Sequence, residues 1–160
     1  AFAGGLMRVL FVCLGNICRS PTAEGVLRHK LQVAGLAGRV EVASAGTGDW
    51  HVGAAPDKRT QRAALLRGYD LSAQRAQQVV APDFNHYDLI LAMDLSNLRD
   101  LKALQPAHGK AELDLFLRRF AGVKDEVPDP YYDGEDGFEE VLDLVESACD
   151  LLVIELKGRL

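Results

Sequence analysis

A chain of 160 residues, 48% of them hydrophobic and 26% charged, is long enough to bury one core and a cleft without disulfide or metal staples. Its net charge of −5 offers no global basic field, which argues against a nucleic-acid partner and against an anionic membrane surface. No run approaches the roughly eighteen apolar residues of a membrane span, and three cysteines without framework spacing point to a reducing compartment, so a cytoplasmic protein is expected.

Ala1 to Leu6 have no charged leader region and no long apolar run, so they do not read as a signal peptide. They precede Met7 and are expected to be a ragged or expression-derived start, leaving a single domain over residues 7–160. Arg8–Cys13 contains Val9-Leu-Phe-Val, which reads as a buried strand. The stretch Cys13-Leu-Gly-Asn-Ile-Cys-Arg-Ser20-Pro21 comes next, with five residues between Cys13 and Arg19 and then a helix start.

That loop carries chemistry. A thiol at a strand end, a guanidinium across a tight turn and a helix N-terminus beneath them suit a tetrahedral oxyanion and a nucleophile that attacks it. The backbone N–H groups of Leu14, Gly15, Asn16, Ile17 and Cys18 can turn inward around the anion. Gly15 and Asn16 suit the curl, because both reach left-handed backbone at low cost. Arg19 offers two parallel donors to two phosphoryl oxygens. Ser20 reads as an N-cap and Pro21 as the first helical residue. The loop amides, the helix dipole and Arg19 all favour a thiolate at Cys13, expected to be ionised at neutral pH. Neither Gly-x-Gly-x-x-Gly nor Gly-Lys-Ser/Thr occurs in this turn, so a nucleotide site is not indicated.

Further helices are expected over Pro21–Ala34, ended by Gly35, over Asp57–Arg67, ended by Gly68, over Asp94–Leu104 and over Gly137–Lys157. Strands are expected over Arg39–Ser44, Asp88–Met93 and Ala111–Phe116. In the last helix Phe138, Val141, Leu142, Val145, Cys149, Leu152 and Leu156 follow three-and-four spacing, a stripe that covers a sheet face. Arg62, Arg67 and Arg75 read as a solvated face. The alternation predicts an α/β protein: one doubly wound domain with a four-stranded parallel sheet and helices on both faces. Right-handed crossovers with the anion loop at a switch point give strand order 2-1-3-4. Asp129 lies in a turn-forming Asp-Pro-Tyr-Tyr-Asp-Gly stretch after the last strand, on the sheet edge where Cys13 emerges. An oxygen leaving group departs more readily at neutral pH with a proton donor placed over it, and Asp129 is the candidate. Tyr131 and Tyr132 would give the site aromatic walls.

Cys13 to Pro21 resembles the phosphate-binding signature of the low-molecular-weight protein tyrosine phosphatases, and Asp129-Pro-Tyr-Tyr-Asp133 resembles their acid loop. Ser44-Ala-Gly-Thr-Gly-Asp-Trp50-His-Val-Gly, Ala55-Pro-Asp57 and Met93-Asp94-Leu-Ser-Asn-Leu-Arg-Asp100 resemble further family segments in order, so the likeness runs from Arg8 onward. It implies hydrolysis of phosphotyrosine in proteins, and of aryl phosphates, through a phosphocysteine. Cys13 attacks phosphorus while Asp129 protonates the leaving oxygen; Asp129 then deprotonates the water that releases phosphate, and Arg19 with the loop holds the oxygens throughout. No metal and no cofactor is implied, and phosphate or other oxyanions would inhibit from the loop.

The resemblance also implies that Ser20 donates to the thiolate, that Asn16 and Ser44 brace the loop, and that Trp50 joins Tyr131 and Tyr132 at the entrance. Cys18 would trap an oxidised Cys13 as a disulfide. Phosphoarginine phosphatases tend to carry Thr where Ile17 stands, which tilts this chain towards phosphotyrosine. The chain departs from the family at Gln74-Arg-Ala-Gln77-Gln78, where His-x-Ala-Arg-Gln is common; a glutamine there can hold a hydrogen bond to Asn16 or a neighbour. A monomer or weak dimer is expected. Two other functions fit parts of the pattern: thioredoxin-coupled arsenate reduction, which needs a relay of further cysteines, and phosphate binding without turnover, which needs neither Cys13 nor Asp129.

Overall fold

The computed structural model describes residues 6–120, 124–131 and 134–160. Four strands, β1 (Met7–Cys13), β2 (Val40–Gly46), β3 (Leu89–Ala92) and β4 (Glu112–Leu115), pair in parallel in the order β2-β1-β3-β4, as expected. The helices are α1 (Arg19–Val33), α2 (Lys58–Leu66), α3 (Asp83–His86), α4 (Leu95–Leu104), α5 (Phe116–Arg119) and α6 (Glu135–Arg159).

Every residue of β1 except Arg8 is buried, because this central strand is covered on both faces. Alternate side chains enter two different cores. Val9, Phe11, Leu89 and Leu91 pack in the cluster that holds the apolar residues of α1 and α6. Leu10, Val12, Ile90 and Ala92 pack with Phe84 of α3 and with Leu98 and Leu101 of α4. All seven residues of the expected α6 stripe are buried, and each of its Phe, Val and Leu side chains so removed from water contributes about 1.5–3 kcal/mol. Gly35 and Gly68 end α1 and α2 with φ of +75° and +93°, the left-handed turn that stops a helix.

The structure differs from the sequence reading in several places. Helix α1 starts at Arg19, so Pro21 is its third residue; the N–H it lacks would have no intrahelical partner there in any case. Phe116, expected in a strand, opens the short helix α5, and α3 was also not anticipated. Four-residue helices are too short for a periodic signal. Arg67 does not belong to a solvated face: it pairs with Glu139, Asp143 and Glu146 of α6, tying α2 to the long helix.

Candidate active site

Strand β1 delivers Cys13 to the carboxyl edge of the sheet, opposite Gly46 of β2, and the chain turns there into α1. Cys13 is 3% exposed; its Sγ lies 3.0 Å from Ser20 Oγ and accepts the Asn16 N–H at 3.3 Å. The curl is achieved at Asn16, with φ of +57°, and not at Gly15, which is absent from the left-handed region. Gly15 serves space instead: a Cβ there would stand 3.0 Å from the His51 ring. Gly46 is tighter, since a Cβ would come within 2.7 Å of Leu14 O, so only glycine lets β2 support the loop so closely.

Behind the loop, Asn16 accepts the Gln77 N–H at 3.0 Å and donates from Nδ2 to Ser20 Oγ at 2.8 Å and to Ser44 Oγ at 2.9 Å. Ser44 donates on to Glu24 at 2.7 Å. Gln77 also donates from Nε2 to Ser44 O at 3.0 Å, so the glutamine at the departure from the family pattern holds the loop as anticipated. Ser20 does not cap α1: no side chain caps that helix, because the Ser20 hydroxyl is drawn to Cys13 and Asn16. The side chains of Asn16, Ser20 and Ser44 are buried in this network and do not line the cavity in front of it.

Arg19 is 3% exposed and is fixed at one end by Asp94 Oδ2 at 2.7 Å and Val127 O at 3.1 Å, both accepting from Nη1. Its Nη2 stands 3.8 Å from Asp129. Burial works against the guanidinium charge, but the neighbouring Cys13, Asp94 and Asp129 outweigh it and hold the group above its usual value.

Cys13, Leu14, Gly15, Ile17, Cys18, Arg19, Trp50, His51, Asp129 and Tyr131 line one cavity of about 210 Å³. Asp129 is about half exposed and accepts the Tyr131 N–H at 3.0 Å, a turn in which the aspartate orders its own loop. Trp50 is 69% exposed and lays its ring against Gly48, forming an open wall. Tyr131 forms another, with the Arg59 guanidinium 5.3 Å from its ring centroid. Tyr132 lies outside the described residues. Cys18 is buried against Thr60; burial pushes its thiol up to about 12, and it remains protonated at neutral pH.

Three residues at or behind this site, Asp94, His51 and Glu24, have no role assigned from the sequence. Asp94 is 75 positions from Arg19, so their pairing has no local signal. His51 enters the cavity from the loop after β2. Glu24 had a faint one: Ser20, Glu24 and Arg28 recur every four residues and share a helix face.

The family model for low molecular weight phosphotyrosine protein phosphatases matches residues 8–159. A low molecular weight protein-tyrosine-phosphatase of Streptomyces coelicolor is 47% identical over 154 residues, covering 94% of this chain and 93% of its own. The crystal structure of a protein tyrosine phosphatase from Entamoeba histolytica, with Hepes in its active site, superposes with a TM-score of 0.90 at 41% identity, covering 96% of this chain and 99% of that one. An arginine phosphatase from Drosophila superposes with a TM-score of 0.87 at 31% identity, covering 94% of this chain and 98% of its own. Loop, sheet order and near full-length match agree: the chain is an enzyme and belongs to the low molecular weight phosphotyrosine protein phosphatase family.

Proposed function

We propose that this chain hydrolyses phosphotyrosine in proteins, and aryl phosphates, through a phosphocysteine on Cys13. One observation carries the reading: Cys13 and Arg19 from one end of the chain and Asp129 from the other line the same cavity. Cys13 Sγ attacks phosphorus in line, the phosphorus–oxygen bond to the phenol breaks, and Asp129 gives its proton to the departing oxygen. The Asp129 carboxylate then takes a proton from water as that water attacks phosphorus and the phosphorus–sulfur bond breaks. Arg19 and the loop N–H groups stabilise the equatorial oxygens in both steps, which supports turnover without a metal. Ser20 is close enough to Cys13 to donate to the sulfur as it leaves.

Trp50 and Tyr131 supply depth for an aromatic ring, and an apolar Ile17 in the cavity wall favours phosphotyrosine over phosphoarginine. Cys149 is fully buried, with its thiol pushed far up by that burial, which disfavours a thiol relay to arsenate. Three free cysteines support action in a reducing cytoplasm. Among the described residues no helix is long and apolar enough to cross a membrane.

The test is hydrolysis of aryl phosphates with graded leaving groups, with and without chelator. Cys13→Ser abolishes turnover. Asp129→Ala lowers kcat by about 10²–10⁴-fold for poor leaving groups and progressively less for good ones. Turnover that the chelator removes would contradict the proposal, and so would a Cys13→Ser protein with wild-type activity.

A further inference from the structure

Glu24 is a charged residue that the proposed chemistry does not use, yet it is 9% exposed. It lies on α1 one turn beyond Ser20, and its two oxygens have separate partners. Oε1 accepts the Ser44 hydroxyl at 2.7 Å and Oε2 accepts the Arg28 guanidinium at 2.7 Å. Arg28 also donates to Val42 O at 2.8 Å, which braces the ion pair on β2. Tyr87 feels the Glu24 charge as well.

The direction of each bond from Glu24 to Asn16 follows from what the groups can do. The Gln77 N–H can only donate, so Asn16 Oδ1 must face it, and Nδ2 must be the donor to both serine oxygens. A carboxylate only accepts, so Ser44 spends its single proton on Glu24 and presents a lone pair to Asn16. Asn16 is the one non-glycine residue in left-handed backbone among those described, and its N–H points at Cys13 Sγ from 3.3 Å. Asparagine adopts that conformation at low cost, and the hydrogen bonds to Gln77, Ser20 and Ser44 select it here.

We infer that Glu24 is a positioning residue for the nucleophile: its buried carboxylate anchors Ser44, Ser44 anchors Asn16, and Asn16 turns its N–H onto Cys13. The inference rests on Cys13 being the nucleophile proposed above. A carboxylate acting only through space would have the opposite sign, since it repels a thiolate and its removal would favour one.

The experiment is the pH profile of iodoacetate alkylation at Cys13 in wild type, Glu24→Leu, Ser44→Ala and the double variant, with thermal unfolding of each. A leucine has no acceptor for the Ser44 hydroxyl, whereas a glutamine would keep one. Glu24→Leu and Ser44→Ala each move the profile to higher pH, slowing alkylation at pH 6 about tenfold, the scale of one hydrogen bond to a charged group. The double variant is no slower than either single one, because both break the same chain. An unmoved profile with lowered melting temperature would make Glu24 merely structural; a profile moved to lower pH would make it a through-space charge. Either overturns the inference, as does an additive double variant. If Glu24→Leu does not fold, Glu24→Asp, which keeps the charge one methylene short of Ser44, takes its place: a profile moved to higher pH supports the inference and an unmoved one overturns it. Wild-type Cys13 no more reactive than free cysteine would sink the nucleophile as well, whereas a reactive wild type matched by Glu24→Leu sinks the positioning role alone.

Discussion

Arg19 donates to one oxygen of Asp94 at 2.7 Å, and the other oxygen of the same carboxylate accepts the Asn97 N–H at 2.7 Å as the N-cap of α4. One side chain thus fixes the cavity's cation and starts a helix on the other face of the sheet. These two duties can be separated. Asn caps as well as Asp but carries no charge, so Asp94→Asn keeps the helix start and releases the guanidinium. Asp94→Asn is expected to lower kcat/KM about tenfold with little change in stability. Asp94→Ala should lose a similar amount of activity and about 1 kcal/mol of stability besides. Aryl phosphate kinetics and denaturant unfolding check both; wild-type kcat/KM in Asp94→Asn would mean that Arg19 needs no such anchor.

Cys18 bears on oxidation. Because burial keeps its thiol protonated at neutral pH, a Cys18 that captured an oxidised Cys13 would rely on the two lying in one loop and not on a reactive Cys18 thiolate. Peroxide treatment followed by thiol is expected to restore wild-type activity and to leave Cys18→Ser largely inactive. Protection should also improve as pH rises from 7 to 9, when more Cys18 ionises. Equal recovery in the two proteins would remove any protective role for Cys18.

Glu112 reports on stability far from the site. A hydrogen bond from Arg119, and another from Arg159, hold its carboxyl below the usual range against the opposing effect of burial. The folded chain therefore stays ionised at a pH where the unfolded chain has protonated. The stability this adds is present above the unfolded value of about 4.3 and is lost as pH falls through the folded one. The Glu112 side chain is 46% exposed, so solvent screens the pair and the contribution stays under about 1 kcal/mol. Melting curves of wild type and Glu112→Gln are expected to differ at pH 7 and to converge below pH 4. A gap that widens on acidification would contradict this.

The parts legible in the sequence are those whose partners are near in the chain. Cys13, Arg19 and the helix start share one stretch, and the stripe from Phe138 to Leu156 repeats with the helical period, so loop and covering helix could both be read. The parallel sheet follows from the alternation of elements, and its order from right-handed crossovers with the anion loop at a switch point. The cap at Ser20 was misread because its hydroxyl has two better partners, and only the folded loop brings Cys13 and Asn16 to it. Gly15 and Asn16 looked equivalent, yet the His51 ring and Gln77 N–H, both from distant segments, decide which one turns left-handed. Glu24 has no sequence signal for its bond to Ser44, because nothing local announces that Ser44 will arrive from β2.

The central claim, a nucleophilic Cys13, is tested most directly by rapid acid quenching during turnover of an aryl phosphate, followed by peptide mapping. The account predicts a phosphate adduct on the peptide that carries Cys13, absent from Cys13→Ser. Turnover at an undiminished rate with no adduct on Cys13 at any quench time would contradict it.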